Sequence, residues 1–97
     1  FDSGEKTGEK VWRMPVGAEY DDDIKSAIAD MKNVGSGRGA GATSGAKFIE
    51  QFTKNIPWVH IDIAGVTWAK SNSILYPTGG TGFGVRLLNT YVKDFIE

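Results

Sequence analysis

A single strand-like segment constrains this chain more than any other feature of its sequence. The run WVHIDIAG at residues 58–65 places Val59, Ile61 and Ile63 on one face of a strand and the even-numbered residues on the other. A lone strand leaves its backbone N–H and C=O groups unpaired, so it requires neighbouring strands. The rest of the sequence offers one poor candidate, residues 10–16, which a proline restricts to the edge or end of a sheet. We therefore expect this strand to join a sheet whose other strands lie outside the chain.

Helices account for most of the remaining pattern. Apolar residues recur at helical spacing in residues 17–35, 43–55 and 83–97. Residues 1–9 are polar and contain two glycines, so we predict a linker or loop there, and we predict a longer loop over residues 66–81. Helices combined with a strand predict an α/β fold. The expected apolar helix faces comprise Ile24, Ala27, Ile28 and Met31; Phe48, Ile49 and Phe52; and Val85, Leu88, Val92 and Phe95.

Length and composition exclude several classes of protein. The 97 residues allow at most one domain. A net charge of −1 gives no electrostatic reason to expect nucleic acid or an anionic membrane as a partner. The absence of cysteine excludes disulfides and thiolate metal sites and fits a reducing compartment. No apolar run approaches the roughly 18 residues that span a bilayer, no signal peptide is recognisable, and a chain that begins with Phe1 is expected to be a fragment.

A glycine-rich stretch, NVGSGRGAGATSGAKF at residues 33–48, raises the question of phosphate binding. A Walker loop requires Gly-Lys-Ser/Thr opening a helix after a strand, and Lys47 comes too late for that pattern. A dinucleotide loop requires G-x-G-x-x-G after a strand, whereas here Gly35-x-Gly37 lacks the third glycine and follows a predicted helix. The alternative is a closely packed connection between two helices, in which larger side chains do not fit.

Three further groups of residues are candidates for chemistry. Asp21, Asp22 and Asp23 could ligate a metal, but successive residues of a helix point in different directions around its axis. The alternative is that these acids stabilise the helix by interacting with the positive N-terminal end of its dipole. His60 and Asp62 share a strand face, but two ligands do not make a metal site, and a half-buried histidine bonded within a sheet is the alternative. The three tryptophans can stack on sugars or bases, or pack against the sheet. With one histidine and no cysteine, the residues alone indicate no catalytic group.

Four sequence blocks occur in an order that is typical of one enzyme family. They are VWRMPVGAEYDDDIKSAIADMKNVG, GAGATSGAKFI, WVHIDIAGVTW and TGFGVRLL, and the most specific part is HIDIAG with the later TGFGV. Nearly the whole chain thereby resembles the C-terminal part of the leucine aminopeptidase family, the two-metal cytosol aminopeptidases. The resemblance implies that residues 1–97 are a C-terminal fragment of the catalytic domain, which has a mixed sheet with helices on both faces.

The resemblance also implies a chemistry that this chain does not carry alone. Family members remove N-terminal residues from peptides with water activated by two divalent ions, zinc, manganese or magnesium. They are cytoplasmic homohexamers whose subunits are several times longer than this chain. Their metal ligands, a lysine and several acids, lie around an upstream Asn-Thr-Asp-Ala-Glu-Gly-Arg signature that is absent here. We therefore expect no catalytic residue and no metal ligand in this fragment, and no activity from it in isolation.

Three pocket positions carry over from the family. The alanine of D-I-A-G and the residue three positions later line the pocket for the substrate's N-terminal side chain, and here they are Ala64 and Thr67. Thr67 stands where the family often has a larger apolar residue, which implies a changed side-chain preference. The aliphatic residue after the asparagine of the N-x-G turn lines the next subsite, and here it is Val34. A small residue such as Ala64, at the C-terminal end of a strand, leaves room for a substrate side chain.

The resemblance leads to one expected function, and the glycine-rich stretch to one rival. We expect a part of a leucyl aminopeptidase that walls the pocket and completes the core. Its partners would be peptide substrates, the rest of the catalytic domain and the other subunits of a homohexamer, with no membrane. The rival is a binding module for nucleotide or nucleic acid built on the glycine-rich stretch. Some bacterial family members also bind DNA, but the charge of −1 argues against that contact in this segment.

Overall fold

The computed structural model of the chain describes residues 1–35, 37 and 39–97; Ser36 and Arg38 of the glycine-rich stretch lie outside the described residues. Two units can be distinguished: unit 1 contains Phe1–Arg13 and Asp62–Glu97, and unit 2 contains Met14–Ile61. In the described part of the chain, no helix has the length and apolar character to cross a membrane. The elements are α1 (Asp2–Thr7), a 3-10 helix (Ala18–Ile24), α2 (Gly41–Glu50), β1 (Trp68–Ala69), β2 (Gly79–Gly80) and α3 (Val85–Ile96).

In unit 1, α1 packs closely against α3. Gly4 of α1 is buried, and a Cβ atom there would lie 2.8 Å from the carbonyl oxygen of Glu9 and 3.5 Å from a methyl group of Leu87. Leu87 is the buried apolar residue of α3. At the surface, Lys6 and Asp94 form an ion pair at 2.5 Å. The distance to Leu87 is an ordinary van der Waals contact, so it is the backbone at Glu9, just after α1, that leaves no room for a side chain at position 4.

The two short strands of unit 1 form an antiparallel pair within the predicted loop. Trp68 lies opposite Gly80, and Ala69 lies opposite Gly79. The prediction of a continuous loop over 66–81 is wrong at these positions. Glycine has low strand propensity, so the sequence pattern does not reveal a strand whose pairing depends on its neighbour.

In unit 2, α2 packs against the 3-10 helix around buried Ile24 and Ala46. Charged and polar side chains add to this contact. Lys47 is only 4% exposed and pairs with Asp21, at 2.6 Å between Nζ and Oδ1, and with Glu50. The contact between the two helices is therefore partly apolar and partly ionic.

Two predicted elements in the first half of the chain are wrong. Residues 1–9, predicted as a linker or loop, contain α1, because the helix gains a packing partner in α3 that its polar sequence does not reveal. The helix predicted over residues 17–35 is reduced to the 3-10 helix Ala18–Ile24, and Ile28 is 98% exposed. The Ser26 hydroxyl accepts hydrogen bonds from the amides of Ile28 and Ala29, at 3.3 and 3.1 Å. Such local side-chain bonds compete with helix propagation.

The strand predicted over residues 58–65 is also wrong in this structure. None of these residues is assigned to a strand, and Val59 is 81% exposed. A strand becomes stable when neighbours satisfy its backbone and cover one face, and no described strand lies beside this segment. The helices predicted over 43–55 and 83–97 are confirmed as α2 and α3, with α2 ending at Glu50. The fold class, an α/β fragment of helices with a small sheet, is confirmed.

Candidate functional site

Two of the predicted pocket residues lie on one short turn of unit 1, residues 62–67, which we call the pocket turn. The amide of Ala64 donates to Oδ1 of Asp62 at 3.0 Å, and the amide of Val66 donates to the carbonyl of Ile63 at 3.0 Å. Ala64 and Thr67 are both exposed. The local hydrogen bonds thus give the turn a defined shape while leaving the two predicted wall residues open to a ligand.

Thr81 joins the pocket turn to the segment that precedes α3. Its hydroxyl donates to the carbonyl of Val66 at 2.6 Å, and its amide donates to the carbonyl of Thr67 at 3.0 Å. The same hydroxyl accepts a hydrogen bond from the amide of Phe83 at 3.2 Å. The pairing of β1 with β2 therefore continues through Thr81 to the backbone of the pocket turn.

Val34, the third predicted pocket residue, lies in unit 2 and is exposed. It occupies a bend between the 3-10 helix and α2, just before the glycine-rich part of the connection. The structure therefore brings Ala64 and Thr67 together on one turn and places Val34 in the other unit.

The glycine-rich stretch is closely packed at one position and open at others. A Cβ atom on Gly35 would lie 2.9 Å from Oγ of Ser44, whose hydroxyl is held by Asp23 at 3.1 Å. At Gly37 and Gly39, no described atom lies within 4 Å of a Cβ atom. The close-packing interpretation thus describes Gly35 alone among these three. A helix of 3-10 type, not a strand, precedes the stretch, which is not the context of a nucleotide loop.

The carboxylates singled out as possible metal ligands are engaged by other groups of the chain. Asp21 pairs with Lys47, Asp22 pairs with Lys25 at 2.5 Å, and Asp23 accepts from Ser44. In the described ranges, no cluster of three or more histidines, aspartates or glutamates could hold a metal ion. These residues therefore do not fit the two-metal centre that the resemblance implies.

His60 and Asp62 do not form a site either. The Oδ1 atom of Asp62 accepts the amide of Ala64 at 3.0 Å, so this carboxylate shapes the pocket turn. His60 is half-buried, and a Cβ atom on Gly45 would lie 3.9 Å from its Nε2 atom. The segment that carries His60 is not in a sheet, so the expected hydrogen bond within a sheet is not formed there.

Lys47 is the most strongly enclosed cation of the described chain, and its environment keeps it charged. Hydrogen bonds to Asp21, which has the larger effect, and to Glu50 raise the pKa of Lys47 above its ordinary value of 10.5. Burial acts in the opposite direction and lowers this pKa, but its effect is smaller. A lysine whose pKa is raised stays protonated at neutral pH and cannot act as a general base. Lys47 therefore has a structural role in the contact between α2 and the 3-10 helix.

A buried carboxylate in unit 1 has no signal in the sequence pattern. Glu9 is 4% exposed, and its Oε2 atom accepts the amide of Leu87 at 2.8 Å. The Oε1 atom lies 3.5 Å from Arg86. The two partners lie near the opposite end of the chain, so no local pattern could have revealed the contact. Thr81 was also missed, although the TGFGV block marked its segment.

A cavity of about 120 Å³ adjoins Glu9 and Thr81 in unit 1. Sites for small ligands usually have volumes of about 300–1,000 Å³, so this cavity is too small to accept a peptide end. Its wall includes Val66 of the pocket turn. The cavity therefore adjoins the pocket turn but is not the candidate pocket. The candidate pocket wall is formed by Ala64 and Thr67, which are exposed on the turn. The lining of the cavity consists of Gly8, Glu9, Val66, Leu75, Tyr76, Thr81, Phe83 and Arg86.

Comparisons with known proteins converge on one family. Residues 1–89 match the family model described as the cytosol aminopeptidase family, catalytic domain. Proteins named probable cytosol aminopeptidase are 46% identical in Ehrlichia ruminantium (strain Gardel), over 98% of this chain, and 49% identical in Rhodopseudomonas palustris (strain TIE-1), over 97%. A third, from Xanthobacter autotrophicus, is 50% identical over 98% of this chain. In each case the chain covers 19% of the relative, so it spans about a fifth of their length.

A solved structure gives the same result at the level of the fold. The 1.8 Å crystal structure of a cytosol aminopeptidase from Coxiella burnetii matches with a TM-score of 0.83 at 33% sequence identity. The match covers 96% of this chain and 20% of that chain. The backbone described here thus has a close counterpart within a much longer solved protein.

Proposed function

This chain belongs to the cytosol aminopeptidase family, and on that premise we propose that it is the pocket-forming part of a metal-dependent leucyl aminopeptidase. The observation that carries the proposal is the family match over residues 1–89, together with 46–50% identity to proteins named as aminopeptidases. The longer protein would be a cytoplasmic homohexamer that removes N-terminal residues from peptides.

In the proposed enzyme, this chain binds the substrate side chain and the rest of the protein holds the metal ions. Two divalent ions, manganese, zinc or magnesium, would polarise the peptide carbonyl and activate water when bound. Asp21, Asp22 and Asp62 are engaged in ion pairs and a turn, which supports placing the metal ligands outside this chain. This chain's own residues would bind and orient the N-terminal side chain of the substrate.

Within this proposal, Ala64 and Thr67 line the first side-chain pocket, and Val34 lines the following subsite. The methyl group of Ala64 takes little space, so a branched aliphatic side chain can enter beside it. Thr67 adds a hydroxyl group to an otherwise apolar wall. The exposure of both residues on a hydrogen-bonded turn supports this assignment.

A substitution at Ala64 tests the proposed pocket in the longer protein. Ala64→Leu fills the space for the substrate side chain, so kcat/KM for leucine amide should fall by about 10- to 100-fold relative to that for alanine amide. Steady-state kinetics with the two amides measure this ratio. Ala29→Leu, the same change on an exposed residue of unit 2, should leave the ratio unaltered. Equal losses for both amides with Ala64→Leu would remove this residue from the pocket.

A further inference from the structure

Thr81 contacts the pocket turn from a distant part of the sequence. Asp62 and Ile63 accept hydrogen bonds from amides of the turn itself. Thr81, from the segment before α3, hydrogen-bonds to the C-terminal end of the turn at Val66 and Thr67. Thr81 is half-buried, and its hydroxyl both donates to Val66 and accepts from Phe83. This hydroxyl therefore fixes the turn relative to the start of α3.

The contact at Val66 is short and lies directly between the two predicted wall residues. Thr81 Oγ1 lies 2.6 Å from the carbonyl oxygen of Val66, and the amide nitrogen of Thr81 lies 3.0 Å from the carbonyl oxygen of Thr67. If the hydroxyl is removed, the carbonyl of Val66 and the amide of Phe83 both lose a partner, and the turn can shift at its far end. Such a shift would displace the backbone between Ala64 and Thr67, the two predicted wall residues.

We propose that Thr81 is a positioning residue that sets the side-chain selectivity of the pocket by holding Val66 and Thr67 in place. This inference rests on the proposed function, because it assigns Thr81 a role through the pocket turn. Thr81 does not touch the substrate in this proposal. Its effect should therefore depend on how much of the pocket the substrate fills.

The test uses Thr81→Val and Thr81→Ser in the longer protein. Valine has nearly the same shape as threonine but lacks the hydroxyl, whereas serine keeps the hydroxyl. For Thr81→Val, KM for leucine amide should rise about tenfold, whereas kcat for leucine amide should change by less than about threefold. For alanine amide, both KM and kcat should change by less than about threefold. Thr81→Ser should restore the parent values, because it restores both hydroxyl bonds.

Thr78→Val is the matched control. Thr78 lies just before β2, on the other side of this strand from Thr81, and its hydroxyl donates to Oδ1 of Asn72 at 3.1 Å. This variant should behave as the parent with both amides. A similar change of selectivity in Thr78→Val would show a general effect of the loop and would overturn the proposal.

The outcomes separate this inference from the proposed function. If Ala64→Leu changes the ratio of the two amides but Thr81→Val does not, the pocket stands and the role of Thr81 is wrong. If Thr81→Val lowers the turnover of both amides equally, or if Thr81→Ser does not restore the parent values, Thr81 is merely structural. If Ala64→Leu itself fails to discriminate, the pocket assignment is wrong and the role of Thr81 falls with it.

Discussion

Lys47 illustrates how a charged side chain is accommodated inside a small unit. Its stem is enclosed between α2 and the 3-10 helix, and its ammonium group is paired with Asp21 and Glu50. Burial of an unpaired ammonium would be costly, so the two carboxylates are what make the position tolerable. Because both carboxylates remain partly exposed, removal of the lysine leaves charges that water can solvate.

The pH dependence of stability follows from the raised pKa of Lys47. In the longer protein, Lys47→Met should destabilise unit 2 by about 1–2 kcal/mol at neutral pH. A folded-state pKa above the unfolded value means that the stabilisation is complete below pH 10.5 and is lost as the pH rises through the folded-state pKa. Thermal melts at increasing pH should therefore show the parent and Lys47→Met converging only above pH 10.5.

The control for this prediction is the exposed pair Lys25–Asp22. Its side chains are largely solvated, so Lys25→Met should produce little change in melting temperature at any pH. If the difference between the parent and Lys47→Met vanished already near neutral pH, the ion pairs would not be the source of the stabilisation.

At the scale of elements, α3 begins without a side-chain cap of its own. Its N-cap residue is Gly84, which has no side chain and adopts φ 100°. The amide of Leu87 in the first turn has no acceptor within α3. It donates instead to the carboxylate of Glu9, two residues after the end of α1. A carboxylate at this position also favours the positive end of the helix dipole. Glu9 thus supplies from another segment the cap that the local sequence lacks.

Substitution of Glu9 tests this capping role in the longer protein. Glu9→Ala should lower stability by about 1–3 kcal/mol, because it leaves the buried amide of Leu87 without an acceptor. Glu9→Gln keeps an oxygen acceptor and should lose less. Hydrogen exchange of the first turn of α3 should accelerate most in Glu9→Ala. Glu5 is an exposed acidic residue of α1, so Glu5→Ala serves as the control and should leave stability nearly unchanged. An equal loss of stability in both alanine variants would contradict the capping role.

The elements that could be predicted from the sequence are those whose own residues determine them. The regions 43–55 and 83–97 carry helical periodicity over several turns, and both form helices. The other elements depend on partners that are remote in sequence. α1 is too short to be stable alone and packs on α3, β2 consists of two glycines, and residues 58–65 have no described strand beside them.

The candidate site was predictable to a similar degree. The block HIDIAGVT identified the segment that carries Ala64 and Thr67, since its residues are contiguous. The residues that hold this segment were not predictable, because a threonine fifteen positions beyond Val66 looks like any loop hydroxyl until the backbone is traced. The pocket roles of Ala64, Thr67 and Val34 remain predictions.

At the scale of the whole molecule, few apolar side chains are covered. Among the described residues, the buried apolar set is Ile24, Ala46 and Leu87. Trp12 is 88% exposed, and the predicted apolar stripe of α3 is exposed along its length. Extended apolar surface of this kind marks a contact with other protein. In the proposed enzyme, the remainder of the catalytic domain would cover these surfaces.

Hydrolysis of leucine amide by the chain alone and by the longer protein tests most directly the proposed division between pocket and metal chemistry. With manganese or zinc added, the longer protein should turn over the substrate and should lose that activity when a chelator removes the metal. The chain of residues 1–97 alone should show no turnover above the uncatalysed rate with either metal, because no group of three or more possible metal ligands occurs among its described residues. Metal-dependent turnover by the isolated chain would contradict the placement of the metal ligands outside it.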